Sequence, residues 1–136
     1  MNTYLIIGIV VVAIAITVGM VLSKKTSLID KIKKRTNETS FDNISIKSID
    51  GSTNFSDIVG WFKTLKLDKE KDVPFIADLN VFKGMLKFEQ KKNVALFIGV
   101  YDENLDKIIH SQIIEADELD QKTLEVLGIE KLVVLS

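Results

Sequence analysis

Val94-Ala-Leu-Phe-Ile-Gly-Val-Tyr101 is a run of eight residues without a charge, and only its last residue carries a hydroxyl. In a strand, successive side chains point to opposite faces. Leu96, Ile98 and Val100 would then line one face, and Ala95, Phe97 and Tyr101 the other. A strand apolar on both faces belongs in the middle of a sheet that is covered on two sides. Gly99 inside it marks a bulge or a close approach by a helix.

Outward from this strand, the turn Gln90-Lys91-Lys92-Asn93 connects it to an expected partner at Met85–Glu89. On the other side, Asp102–Asp106 turns the chain into a strand beginning Lys107-Ile-Ile-His110 and reaching Ile114. Glu115-Ala-Asp117 then leads to a helix over 118–127, with Leu119, Leu124 and Leu127 inward and Gly128 as its stop. Asp117 would cap that helix, with Asp120 as the box partner. Lys131–Leu135 reads as a short final strand. Towards the N-terminus, Asn43–Ile49 alternates as an edge strand does, and Asp50-Gly51-Ser52 reads as a turn. Phe55, Ile58, Val59, Phe62 and Leu65 recur at helical spacing behind Asn54, a good cap. Residues 73–84 are readable as continuous strand. The spacing of Phe75, Leu79, Phe82 and Leu86, with Asp72 as cap and Pro74 in the first turn, favours a short helix over 75–83. The expected fold is α+β: one domain over 41–136, with two or three helices on one face of a mainly antiparallel sheet.

Ahead of this domain the composition changes. Tyr4–Leu22 contains nineteen residues and no charge. As a helix they would cover roughly 28 Å, close to the ~30 Å hydrocarbon core of a bilayer. The three residues before the run carry no basic side chain, and the apolar core is longer than a cleaved signal peptide requires. The stretch therefore reads as a retained single-pass anchor behind a tail of residues 1–3. Lys24, Lys25, Lys31, Lys33, Lys34 and Arg35 follow it, six of the eighteen basic residues of the chain. By the positive-inside rule the N-terminus lies outside and the C-terminal domain in the cytoplasm. Ala15 and Gly19 form a small-xxx-small pair, a surface for homodimerisation. Residues 23–40 read as a basic juxtamembrane linker. Its Leu28, Ile29 and Ile32 make a narrow apolar face for lying on the leaflet, and its cations suit anionic lipid headgroups. The alternative is a continuation of the membrane helix with a solvated basic flank.

Charge and composition exclude several activities. The net charge of −1 conceals a split, for residues 41–136 hold seventeen acidic and twelve basic residues. With its cations gathered at a membrane neck, the chain is not expected to bind nucleic acid. Cysteine is absent and histidine occurs once, which removes thiolate chemistry and multi-histidine metal sites. Asp102, Asn104 and Asp106 start like a calcium loop, but Lys107 stands at the glycine position and Ile113 at the final glutamate. His110 and Ser111 are adjacent in a strand and point to opposite faces, so they form no dyad. No catalytic, cofactor or metal residues are assigned.

These features favour a membrane-tethered, non-catalytic adaptor. Trp61, Phe62, Asp117, Glu118 and Asp120 are the expected contacts with a protein partner. Two other readings make distinct demands. A small-ligand or lipid sensor requires a cavity beneath Phe75, Phe82 and Phe97. An enzyme using carboxylate chemistry requires Asp78, Glu89 or Asp102 to meet His110 in a cleft.

Overall fold

The structure, a computed structural model, describes residues 27–36, 44–82 and 89–135. Its five strands are β1 (Ser45–Ser52), β2 (Asp72–Asp78), β3 (Val94–Asp102), β4 (Lys107–Glu118) and β5 (Leu132–Val134). Helix α1 runs over residues 27–36. It is followed by α2 (Phe55–Thr64), a 3-10 turn (Leu79–Phe82) and α3 (Gln121–Leu127). The strands form one sheet in the order β1-β4-β3-β2-β5. The β1–β4 ladder is parallel and the other three are antiparallel. The two antiparallel steps from β2 to β4 leave β2 parallel to β1, with α2 as the crossover between them. This is the α+β domain with a mainly antiparallel sheet that the residues predict. The expected membrane span at 4–22 lies outside the described residues. Among those described, no helix is long and apolar enough to cross a membrane.

β3 is the middle strand, and every residue in it except Val94 is buried. Its alternation separates two cores. On one face, Leu96, Ile98 and Val100 pack with Phe55, Ile58, Val59 and Phe62 of α2 and Leu127 of α3. On the other, Phe97 and Tyr101 pack with Phe75, the 3-10 turn residues Leu79 and Phe82, and Leu28, Ile29 and Ile32 of α1. Helices therefore cover both faces of the sheet, as the two apolar faces of β3 require, where the helices were expected on one face only. Residues 27–36, read from composition as part of a linker, supply the second cover. Leu28 and Ile29 are each 8% exposed and Ile32 is fully buried. Burial of each such side chain contributes roughly 1.5–3 kcal/mol, so this apolar face is occupied by the sheet.

The expected short helix over 75–83 is a strand followed by a 3-10 turn. Val73, Phe75 and Ala77 face the α1 side, while Ile76 faces α2. Only a strand delivers this neighbouring chain to two opposite cores. Pro74 is accommodated near the strand start, where its carbonyl accepts from the Leu135 amide at 2.8 Å. The expected strand at Met85–Glu89 lies outside the described residues, apart from Glu89, which is not in a strand.

Two boundaries also move. The turn expected at Asp50–Ser52 is the end of β1, with the register shift against β4 falling between Ile49 and Ser52. Gly51, at φ +90°, supplies the backbone conformation needed there. The helix expected from 118 begins at Gln121, because β4 remains paired up to Glu118 opposite Ser52. Its cap residue is Asp120 in place of Asp117, and Gly128 ends it as expected. Leu124, expected inward, is 44% exposed.

Candidate interaction surface

β1 is an edge strand, and a groove opens between it and α2. It is lined by Lys47 and Ile49 of β1, Gln112 and Ile114 of β4, Thr53 and Asn54, and Asp57, Ile58 and Trp61 of α2. Asn54 caps the helix as its position predicts, accepting from the Ser56 amide at 2.9 Å. Trp61 is half-buried against the first core and meets Phe62 edge-on, with ring centroids 5.0 Å apart. Phe62 itself is buried, so of the two expected aromatic contacts only Trp61 reaches the surface. The groove volume of about 90 Å³ is well below the ~300 Å³ at which small-molecule sites begin. A groove of this size accommodates one side chain or a few waters.

The expected acidic contacts are largely engaged within the domain. Asp120 accepts from Thr53 Oγ1 at 2.6 Å and from the Phe55 amide at 3.3 Å, and also from Thr123 Oγ1. Its own amide donates to Thr53 Oγ1 at 3.0 Å. One carboxylate thus joins the starts of α2 and α3. Burial opposes its ionisation, but the hydrogen bonds from the Thr123 and Thr53 hydroxyls and the Phe55 amide outweigh burial and lower its pKa. Asp117 accepts from the Gly51 amide at 2.7 Å and lies 3.6 Å from Lys92 Nζ. Lys92 also pairs with Asp50 at 2.9 Å, and that hydrogen bond is the main reason its pKa is raised. Glu118 is exposed. The sequence reading missed this fastening role because both carboxylates are bound by residues more than sixty positions away.

The basic residues divide as well. Lys31 and Lys34 are exposed on α1 and Lys33 is half-buried. Lys24 and Lys25 lie outside the described residues. Arg35 donates to Asp106 Oδ2 at 2.6 Å, and Asp106 also accepts from the Tyr101 hydroxyl. The Arg35 bond, followed by that from Tyr101, holds the Asp106 carboxyl down at about 2. Burial and the neighbouring carboxylate push the Tyr101 phenol up to about 12. This cluster ties the end of α1 to the β3–β4 turn.

Asp102 is buried and accepts from the amides of Asn104 and Leu105 at 2.9 and 3.0 Å, and from Lys71 Nζ at 3.0 Å. The Leu105 amide leads the interactions that lower its pKa. The start that resembles a calcium loop is therefore a turn closed by its own amides. Among the described residues no cluster of three metal-ligating side chains occurs. Asp78 accepts from the Asn80 amide at 2.9 Å, and Glu89 is exposed. His110 is exposed on β4, and no carboxylate is hydrogen-bonded to it among the described residues. Comparison of the chain with protein-family models, with curated proteins and with solved structures finds no match.

Proposed function

We propose that this chain is a single-pass, membrane-tethered interaction module without catalytic activity. The observation that carries the reading is the charge-free run Tyr4–Leu22 followed directly by six cations within residues 24–35. The run suits the hydrocarbon thickness, and the cations orient the domain to the cytoplasmic side and attract anionic headgroups. A tether of this kind raises the effective concentration of the domain for partners on the same membrane. The β1–α2 groove, with Trp61 on its rim, is the surface assigned to a protein partner. Ala15 and Gly19 offer a second contact, between two copies of the span.

Two observations favour a binding module over the other readings. Phe75 and Phe97 lie 5.6 Å apart between centroids, and Phe82 and Phe97 5.5 Å apart. A ligand sensor would need its cavity beneath those rings. Of the carboxylates an enzyme would need beside His110, Asp102 is bound to Lys71 and Asp78 to a turn amide.

The test uses the full chain in native membranes. Because the chain has no cysteine, Asn2→Cys and Ser136→Cys can each be probed with an impermeant maleimide on intact cells. Labelling at position 2 alone is expected; labelling at 136 alone reverses the orientation. A photo-crosslinker at Lys47 or Trp61 should then yield a discrete adduct with another protein. Recovery of free monomer alone under every condition rejects the module.

A further inference from the structure

The face of the sheet covered by α1 and the face covered by α2 cannot stand in the same relation to a bilayer reached through residue 22. Leu22 precedes residue 27 by five Cα steps, which span at most about 18 Å. The headgroup layer takes up roughly 5–8 Å of that distance. On the anchor reading, the start of α1 is therefore held within about 10–13 Å of the headgroups, close to one Debye length at moderate salt.

Helix α1 turns its apolar side to the sheet, with Ile32 fully buried. Its outer side carries Lys31 and Lys34, with Lys33 half-exposed beside them and Asp30 as the one exposed acid on the helix. Arg35 points into the cluster with Asp106 and Tyr101 and does not belong to this outer set. The groove lined by Lys47, Asp57 and Trp61 lies on the α2 side of the sheet.

We propose that the α1 side is the membrane face of the domain. Lys31, Lys33 and Lys34 dock on anionic lipid headgroups, and α2 with Trp61 is directed away from the bilayer. The proposal rests on the anchor reading above and adds an orientation to it. The occupant is set by charge complementarity and by the short connection to the span. An undocked domain, with α1 standing upright as an extension of the span, is the competing arrangement.

The test places the full chain in nanodiscs of phosphatidylcholine alone or with phosphatidylserine, each containing quenching lipids. Ser48 is exposed on the α1 side, since its β4 partner Glu115 pairs with Ala95 of the second core. A fluorophore on Ser48→Cys reports that side, and Trp61, the one tryptophan, reports the other. In phosphatidylserine discs the Ser48 label should be quenched more strongly than Trp61, and the contrast should fade in molar salt. Each lysine near an anionic surface is worth about fivefold, so K31Q/K33Q/K34Q should lower the docked-to-undocked ratio about a hundredfold. Equal quenching of the Ser48 label in both lipids, or stronger quenching of Trp61, overturns the proposal. Extraction of the chain by alkaline carbonate instead rejects the anchor, so the two failures are read separately.

Discussion

Gly99 of β3 stands between Phe75 on β2 and Ser111 on β4. A Cβ added there would lie 2.6 Å from the His110 carbonyl oxygen and 2.9 Å from Phe75 Cζ. The sequence pointed to a bulge or a nearby helix. The structure has a register shift one pair further on, between Val100 and Tyr101, and the close neighbours are the His110 carbonyl of β4 and the Phe75 ring of β2. Gly99→Ala must part the β3–β4 ladder at the His110 carbonyl as well as displace the buried Phe75 ring, and overpacking of this kind costs about 1–3 kcal/mol. Urea unfolding should show that loss with an unchanged slope. At Asp120 the expectation is larger than for a surface acid. Asp120→Ala leaves Thr53, Phe55 and Thr123 without their shared acceptor, and unsatisfied buried donors cost about 1–3 kcal/mol. Glu118→Ala, two residues away and exposed, should be near neutral in the same assay. The residue types at 117–120 were legible as helix-start chemistry. Which carboxylate stands at the cap position, and what each one binds, was not, because Thr53 and Gly51 reach them only through the parallel β1–β4 pairing.

At the level of elements, α1 and β2 carry the two largest departures from the periodicity reading. Leu28, Ile29 and Ile32 were recognisable as one apolar face, but periodicity names no partner for a face. Lipid and protein satisfy the same stripe. With the sheet as partner, Ile32→Ala should destabilise the domain by about 2–5 kcal/mol, as large-to-small core changes do. A fragment of residues 27–136 should unfold cooperatively, whereas one of residues 41–136 exposes Phe75, Phe97 and Tyr101 and should aggregate or bind a hydrophobic dye. Equal stability of the two fragments would mean that α1 is dispensable. For β2, the residues 73–78 alternate between the two cores and the residues from Leu79 onward do not. A window spanning both blends a period of two with a 3-10 turn and resembles a helix. The ambiguity is resolved by β3 and β5, which bond to β2 on either side.

Across the whole molecule, the cluster of Arg35, Asp106 and Tyr101 makes the α1 attachment sensitive to acid. The Asp106 carboxyl sits at about 2 in the fold against an ordinary value of 3.8. A carboxyl lowered by folding contributes stability that is complete above its unfolded value and is lost as pH falls through its folded value. Asp102 and Asp120 are lowered too and act in the same direction. Thermal melts should be nearly constant from pH 7 to 5 and drop between about 4 and 2. Asp106→Asn should be less stable at neutral pH and show a shallower decline in that acid window. An unchanged decline would assign the acid sensitivity to the other carboxylates.

Composition and short-range spacing sufficed for the apolar run at 4–22, the basic neck, the α+β class, the central position of β3, and α2 with its Asn54 cap. Each of these rests on contacts within a few residues, or on burial that one segment records in its own pattern. The cover on the second face, the strand at 72–78, the parallel edge strand and the internal fastening of Asp117 and Asp120 fell to the tertiary fold. Those features depend on pairings between segments distant in the chain, or on which of two apolar surfaces a stripe meets. The side chains of one segment carry no record of that choice.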